Sequence, residues 1–135
     1  AAIFAGDGDV YTFSMHGARN YPFNKECSSQ DVGLEDGVDD EGYMALLHEH
    51  LTAAFDAARA DIVFYLAGVD PATGDRFGRL RLTREGLHRR DRTVLTEACR
   101  RAIPTTLVLS GGYAATPELT ADLHAIAHRE AARIW

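Results

Sequence analysis

Six apolar residues in a row, Ile62-Val63-Phe64-Tyr65-Leu66-Ala67, stop at Gly68 and are followed two residues later by Asp70. The run is rich in β-branched and aromatic residues and too short for a helix. It predicts a strand over residues 62–67 that is buried on both faces, as strands of parallel sheets are. A carboxylate just past the carboxyl end of such a strand lies where open α/β sheets hold their ligands. Asp-Pro is also a turn opener, so a simple turn cap is the second reading of Asp70.

The flanking segments fit a parallel sheet. Residues 41–60 carry Tyr43, Leu47, Leu51, Ala54, Phe55 and Ala58 at helical spacing, which predicts a helix with one buried face. A second helix starts after Thr83, a good N-cap, runs through Leu87, Val94, Leu95, Ala98 and Ala102, and is stopped by Pro104. Residues 105–109 predict a strand closed by Ser110-Gly111-Gly112. The last helix has Thr116 as cap, Pro117 at its first position and a stripe of Leu119, Leu123, Ile126, Ala127 and Ala131. Residues 10–15 predict the first strand, ending at His16. The order of strand, helix, strand, helix, strand, helix implies one layered α/β domain with parallel strands and right-handed crossovers. Residues 17–40 show no helical period and predict a long loop, a feature usually kept for function. Its acidic end (Glu35, Asp36, Asp39, Asp40, Glu41) suits a helix start, and attraction of a cationic substrate is the other reading.

Composition narrows the class. A chain of 135 residues is normally one domain. No stretch approaches the roughly eighteen apolar residues that span a bilayer, and no signal-peptide pattern opens the chain. Cys27 and Cys99 are isolated, which argues against a disulfide framework or zinc knuckle and for a reducing, cytoplasmic setting. A net charge of −6 disfavours a nucleic-acid partner, because phosphate binding needs a basic face.

Three predicted strands end in chemically loaded turns: Ser14-Met15-His16, Gly68-Val69-Asp70 and Gly111-Gly112-Tyr113. In one parallel sheet these turns share an edge, and their convergence points to a site. The paired glycines free the backbone before Tyr113, whose phenol can donate to a developing oxyanion. Covering the start of the last helix is the other reading of Tyr113. His124 and His128 have a metal-compatible spacing but lack the Glu of HExxH, so a solvated helix face is expected. His48 and His50 point to different sides of their helix. His88, among Arg89, Arg90 and Arg92, is expected in solvent, and His16 has two readings, a role at the functional edge of the sheet and simple packing at its strand end. Ser110 lacks a GxSxG elbow, and no P-loop or GxGxxG turn is present.

The run Ala67-Gly68-Val69-Asp70-Pro71-Ala72-Thr73-Gly74-Asp75-Arg76-Phe77-Gly78 resembles the AGxDxxxGDxxG segment of histone deacetylases and their bacterial relatives. Three more pieces match in order: residues 10–16 followed by Tyr21-Pro22, residues 32–43, and the Gly111-Gly112-Tyr113 turn. The resemblance implies the arginase/deacetylase α/β fold and hydrolysis of an N-acetyl amide on a lysine or polyamine-like amine. It implies that Asp70 is a zinc ligand and Tyr113 the catalytic phenol. Tyr21, Phe77, Gly111 and Gly112 would line the channel for the acetylated amine substrate. Ser14 and Met15 match one structural monovalent-cation (K+) site, and Phe4, Asp7 and Val10 a second. A hard carboxylate suits zinc, and zinc makes bound water a nucleophile near neutral pH.

Two elements of that family pattern are missing. An Asp-x-His pair completes the zinc site in the family, and two adjacent histidines serve as base and electrostatic partner. Neither occurs among His16, His48, His50, His88, His124 and His128. The chain therefore resembles an incomplete, C-terminal part of a deacetylase domain, with the N-terminal half as its natural partner. Alone it is expected to hold zinc weakly, to lack activity, and to unfold or form homo-oligomers through a raw sheet edge. A non-catalytic α/β interaction module that kept the fold is the competing reading.

Overall fold

The helices form where spacing and caps place them. In the computed structural model, which describes residues 1–135, a 3-10 turn (Ala2–Phe4) precedes β1 (Phe13–Gly17), β2 (Gln30–Leu34), α1 (Asp40–Ala58), β3 (Val63–Leu66), α2 (Arg84–Arg100), β4 (Thr105–Val108) and α3 (Pro117–Ile134). Asp39, Thr83 and Thr116 each accept a hydrogen bond from a backbone N–H of the first helical turn (Gly42, Gly86 and Leu119). Those N–H groups have no partner within a helix, so each cap removes a desolvation cost. Of the acidic run, Asp39 caps α1 and Asp40 and Glu41 lie in its first turn, whereas Glu35 and Asp36 pair with Arg19 and Arg79. Ala102, at a left-handed φ of 55°, turns the chain after α2 toward Pro104 and β4.

The strands pair in twos. β1 lies parallel to β2, with Met15 opposite Val32, and β3 parallel to β4, with Tyr65 opposite Leu107. The expected single sheet with three strand ends along one edge is thus two separate two-stranded sheets. The expected loop over residues 17–40 contains β2. Its sequence, Gln-Asp-Val-Gly-Leu, has little strand propensity. It is a strand because Val32 and Leu34 alternate into the core, 8% and 1% exposed, while its backbone pairs with β1. The first strand is shifted from residues 10–15 to Phe13–Gly17, the segment that β2 can reach.

One core joins these pieces. Tyr43, Met44, Leu47, Leu51 and Phe55 of α1 meet Leu87, Val94 and Ala98 of α2 and Ile126 of α3, and Val63 and Tyr65 of β3 pack against them. Between α2 and α3 lies a buried carboxylate, Glu130. It accepts hydrogen bonds from His88 Nδ1 (2.8 Å), Arg92 Nε (2.9 Å) and Arg133 Nη1 (2.6 Å). His88 is therefore not a solvated side chain, because α3 covers it and supplies its partner.

β3 is also not buried on both faces. Val63 and Tyr65 point inward, but Phe64 and Leu66 are 62% and 61% exposed, with Ile62 and Leu109 also open. Helices cover one face of the β3–β4 sheet, so a segment with the composition of a doubly buried strand is left half bare. Replacing Phe64 and Leu66 together by Ser is expected to raise the monomer fraction of this chain in sedimentation. Its unfolding midpoint should hardly move, since exposed substitutions change stability by about 0.5 kcal/mol or less. An unchanged association constant would exclude this face as the sticky one.

Candidate active site

β3 and β4 run in the same direction, so their carboxyl ends open into adjacent turns. The Ala67 N–H donates to the Val108 carbonyl (3.1 Å) and the Val69 N–H to the Gly111 carbonyl (2.6 Å), carrying the pairing into both turns. Asp70 follows directly, and its carboxylate lies over Gly111. A Cβ at Gly111 would sit 2.5 Å from Asp70 Oδ1 and 3.1 Å from its Cγ. A Cβ at Gly78 would strike the Asp70 carbonyl. These two glycines leave the space that the carboxylate and its backbone fill.

Burial pushes the Asp70 carboxyl above its ordinary value. Its own backbone N–H and the positive charges of Arg90 and His124 oppose the rise, and Asp75 adds to it. An ionised carboxylate in such a place gains much from a bound cation, which supplies the countercharge its surroundings withhold.

Tyr113 stands two residues beyond Gly111. Its ring is 54% exposed and meets Phe77 edge-on, with centroids 4.9 Å apart and planes at 84°. The Tyr113 N–H donates to Asp75 Oδ2 (2.6 Å), and its carbonyl accepts from the Arg76 N–H (3.1 Å). Asp70, Phe77, Gly111, Gly112 and Tyr113 thus share one face of the molecule. Tyr21 is in the loop between β1 and β2, 75% exposed, and its ring pairs edge-on with Phe23 at 6.3 Å.

The residues matched to monovalent-cation sites lie along the amino-terminal part. Ser14 and Met15 are on β1, where the Ser14 hydroxyl and His16 Nδ1 are 2.8 Å apart. His16 also approaches Asp31 of β2 at 4.0 Å, so it packs at the strand end. Phe4, Asp7 and Val10 lie on two successive turns, in which the Asp7 N–H donates to the Phe4 carbonyl and the Val10 N–H to the Asp7 carbonyl.

Two residues near Asp70 were not expected there. Arg90 is 4% exposed, and its Nη1 donates to the Gly68 carbonyl at 2.6 Å. Its Nε donates to Asp91 Oδ1 (2.8 Å), which also accepts from the Tyr65 hydroxyl (2.6 Å), while Nη2 has no partner. The signal was present: Asp91 is four residues after Leu87 and three before Val94, on the buried stripe of α2. His124 corrects the solvated-face expectation. It lies beneath the Gly111–Gly112 turn, with Nε2 3.2 Å from where a Gly112 Cβ would be and Nδ1 buried without a partner. Burial lowers its basicity, and Arg90 lowers it further. His128 lines a different groove with Leu95, Leu107 and Trp135.

A catalytic zinc ordinarily has three protein ligands. Asp70 has the chemistry of one, but no group of three His, Cys, Asp or Glu side chains here converges on a point. The site supplied by this chain is one-sided.

The model of the histone deacetylase domain family matches residues 1–128. The chain belongs to that family. Among its relatives, an uncharacterized protein of Picosynechococcus sp. is 42% identical over the whole chain, which spans 45% of that protein. Histone deacetylase 2 of Arabidopsis thaliana is 32% identical over 110 residues, covering 79% of this chain and 28% of the plant protein. This deacetylase-family chain thus spans less than half the length of these curated relatives. The fold agrees with that of the HDA15 HD domain, with a TM-score of 0.70 at 21% identity over 98% of this chain and 40% of that one. Acetylpolyamine aminohydrolase from Burkholderia pseudomallei gives 0.67 at 19% identity, over 92% of this chain and 37% of the enzyme. The arginase/deacetylase α/β fold is therefore present here as a partial domain.

Proposed function

We propose that this chain is the C-terminal part of a zinc-dependent deacetylase that hydrolyses the N-acetyl amide of a lysine or polyamine-like amine. The observation that carries this reading is the packing of the Asp70 carboxylate against Gly111, in the turn that presents Tyr113. Family membership and fold support it, and so does the raised Asp70 carboxyl, which favours a cation beside it. A bound zinc would polarise the amide carbonyl and activate water. The chain's own part is to offer one carboxylate ligand, a channel wall and a proton donor. Phe77 holds the Tyr113 ring from the side, and the Tyr113 hydroxyl donates to the oxygen that becomes an oxyanion. The carbonyls of Ser14 and Met15, and those of Phe4, Asp7 and Val10, are proposed to hold structural potassium ions.

The remaining ligands and the general base would come from the rest of the domain, so this chain alone is inactive and binds zinc weakly. The test is zinc content and acetyl-lysine peptide hydrolysis, measured on the 135-residue chain and on the full-length protein. Hydrolysis with about one zinc per full-length chain is expected, and neither in the fragment. A full-length protein that holds no zinc and cleaves no acetyl amide would leave the interaction-module reading standing. In that protein, Tyr113→Phe is expected to lower kcat by about 10²–10³-fold, the usual cost of losing one oxyanion donor. KM should stay within a few-fold, because the ring and its contact with Phe77 remain.

A further inference from the structure

Asp75 joins two backbone segments, its own turn and the turn of Tyr113. One oxygen, Oδ1, accepts from the N–H groups of Phe77 (2.8 Å) and Gly78 (2.7 Å). The other, Oδ2, reaches 38 residues along the chain to accept from the Tyr113 N–H at 2.6 Å. The neighbouring Arg76 N–H donates to the Tyr113 carbonyl, so Tyr113 is gripped on both sides of its Cα by consecutive residues.

We infer that Asp75 is a positioning residue for Tyr113, fixing the phenol and the Phe77 wall as one unit beside Asp70; the inference rests on the deacetylase reading. Local turn formation explains only half of what Asp75 does. An Asp that bonds N–H groups two and three residues ahead is a common turn device, and Asn or Ser serves as well. The contact with Tyr113 needs the second oxygen. With Asn, one of the two sets of N–H donors would face an NH2 group, which accepts nothing. Only a carboxylate satisfies both sets.

The Tyr113 turn also needs such an anchor. Gly111 and Gly112 precede it, and residues without a Cβ restrict the backbone least. Its ring is more than half exposed, so burial does not hold it in place. Between Gly112 and the capping residue Thr116, the backbone contacts to Asp75 and Arg76 are what fix the direction of the phenol, together with the Ala114 N–H bond to the Thr120 hydroxyl (3.2 Å). An oxyanion donor works only when its hydrogen lies where charge develops, and a misplacement of about 1 Å can cost around 10²-fold in rate.

The test compares wild type, Asp75→Asn and Asp75→Ser in the full-length protein. Ser retains the short turn to Phe77 and Gly78 but cannot span to Tyr113. Both variants are expected to lower kcat by about 10–100-fold, with KM within about three-fold. Zinc content should be unchanged, because the Asp75 carboxylate bonds the Phe77, Gly78 and Tyr113 N–H groups and makes no hydrogen bond to the Asp70 side chain. Exchange of the Tyr113 amide hydrogen should accelerate in both. An unchanged kcat in both variants, or a loss of zinc that tracks the loss of rate, would overturn the inference. If wild type hydrolyses no acetyl amide, the deacetylase reading fails by itself. Faster Tyr113 exchange in the variants would then still establish the anchor, and equal exchange would refute it.

Discussion

Asp70→Asn is expected to abolish turnover in the full-length protein, by about 10³-fold or more, and yet to raise the unfolding midpoint of the metal-free chain. The first effect follows from the proposed deacetylase function, in which Asp70 would be a charged ligand of the zinc that activates water and carbonyl together. The second follows from the environment of the carboxylate. Burial lifts its folded-state carboxyl value above the unfolded one, which means that folding disfavours the charge. Above the unfolded value of about 3.9 the ionised group therefore opposes folding, and Asn removes that opposition. Below it the wild-type carboxyl is neutral in both states, and the advantage of Asn disappears. Thermal unfolding in chelator at neutral and at strongly acidic pH checks the sign. Adding zinc to the full-length wild type should reverse the order, because a ligand that binds only the folded state adds stability. An Asn variant less stable than wild type in chelator would mean that the carboxylate is structural.

The same tension explains why the site is built as it is. Asp70 and Tyr113, the proposed functional groups, lie in loops beyond the strand ends, where open α/β sheets place ligand chemistry. The Asp70 turn is held by burial of Ala67, Val69 and Ala72 as well as by hydrogen bonds, and the exposed Tyr113 turn by hydrogen bonds to its backbone. Gly68 is held by Arg90, Val69 by Gly111, and Tyr113 by Asp75 and Arg76. The candidate site is thus hydrogen-bonded at its base and open on one side.

What could be read from sequence followed from how local each signal is. The helices were legible because a cap, a three-to-four spacing and a terminator agree within about twenty residues, as with Thr83, the Leu87–Ala98 stripe and Pro104. The strand-end positions of Asp70 and Tyr113 were legible because each follows a strand within a few residues and sits in a glycine-rich motif. β2 was not, since Gln30–Leu34 owes its strand state to pairing with β1 and not to its own residues. The bare face of β3 was invisible for a related reason: Phe64 and Leu66 have a composition suited to a covered sheet, and nothing local records what covers it. His124 has the spacing of a surface residue and comes to lie against the Gly111–Gly112 turn only when α3 packs beneath Gly112. Asp75 is conspicuous in the glycine-aspartate motif, but its bond to Tyr113 spans a whole helix and strand.

Away from the site, a large loss of stability with a distinct pH dependence is expected at Glu130. Its side chain is 1% exposed and is hydrogen-bonded by His88 and paired with Arg92 and Arg133, locking α2 to α3. The hydrogen bond from Arg92, with smaller contributions from His88 and Arg133, lowers its carboxyl to about 2. Breaking a buried ion pair by removing one partner usually costs about 3–5 kcal/mol. Arg92 and Arg133 are 52% and 62% exposed and regain water when released, which places Glu130→Gln at about 2–3 kcal/mol. The pH dependence has a definite direction. A depressed carboxyl contributes stability that is fully present above the unfolded value, about 4.3, and is lost as pH falls toward the folded value. Denaturant unfolding of wild type and Glu130→Gln should therefore differ most at neutral pH and converge between about pH 4.5 and 2. A gap that stays constant over that range would mean that shape, rather than charge, makes Glu130 matter.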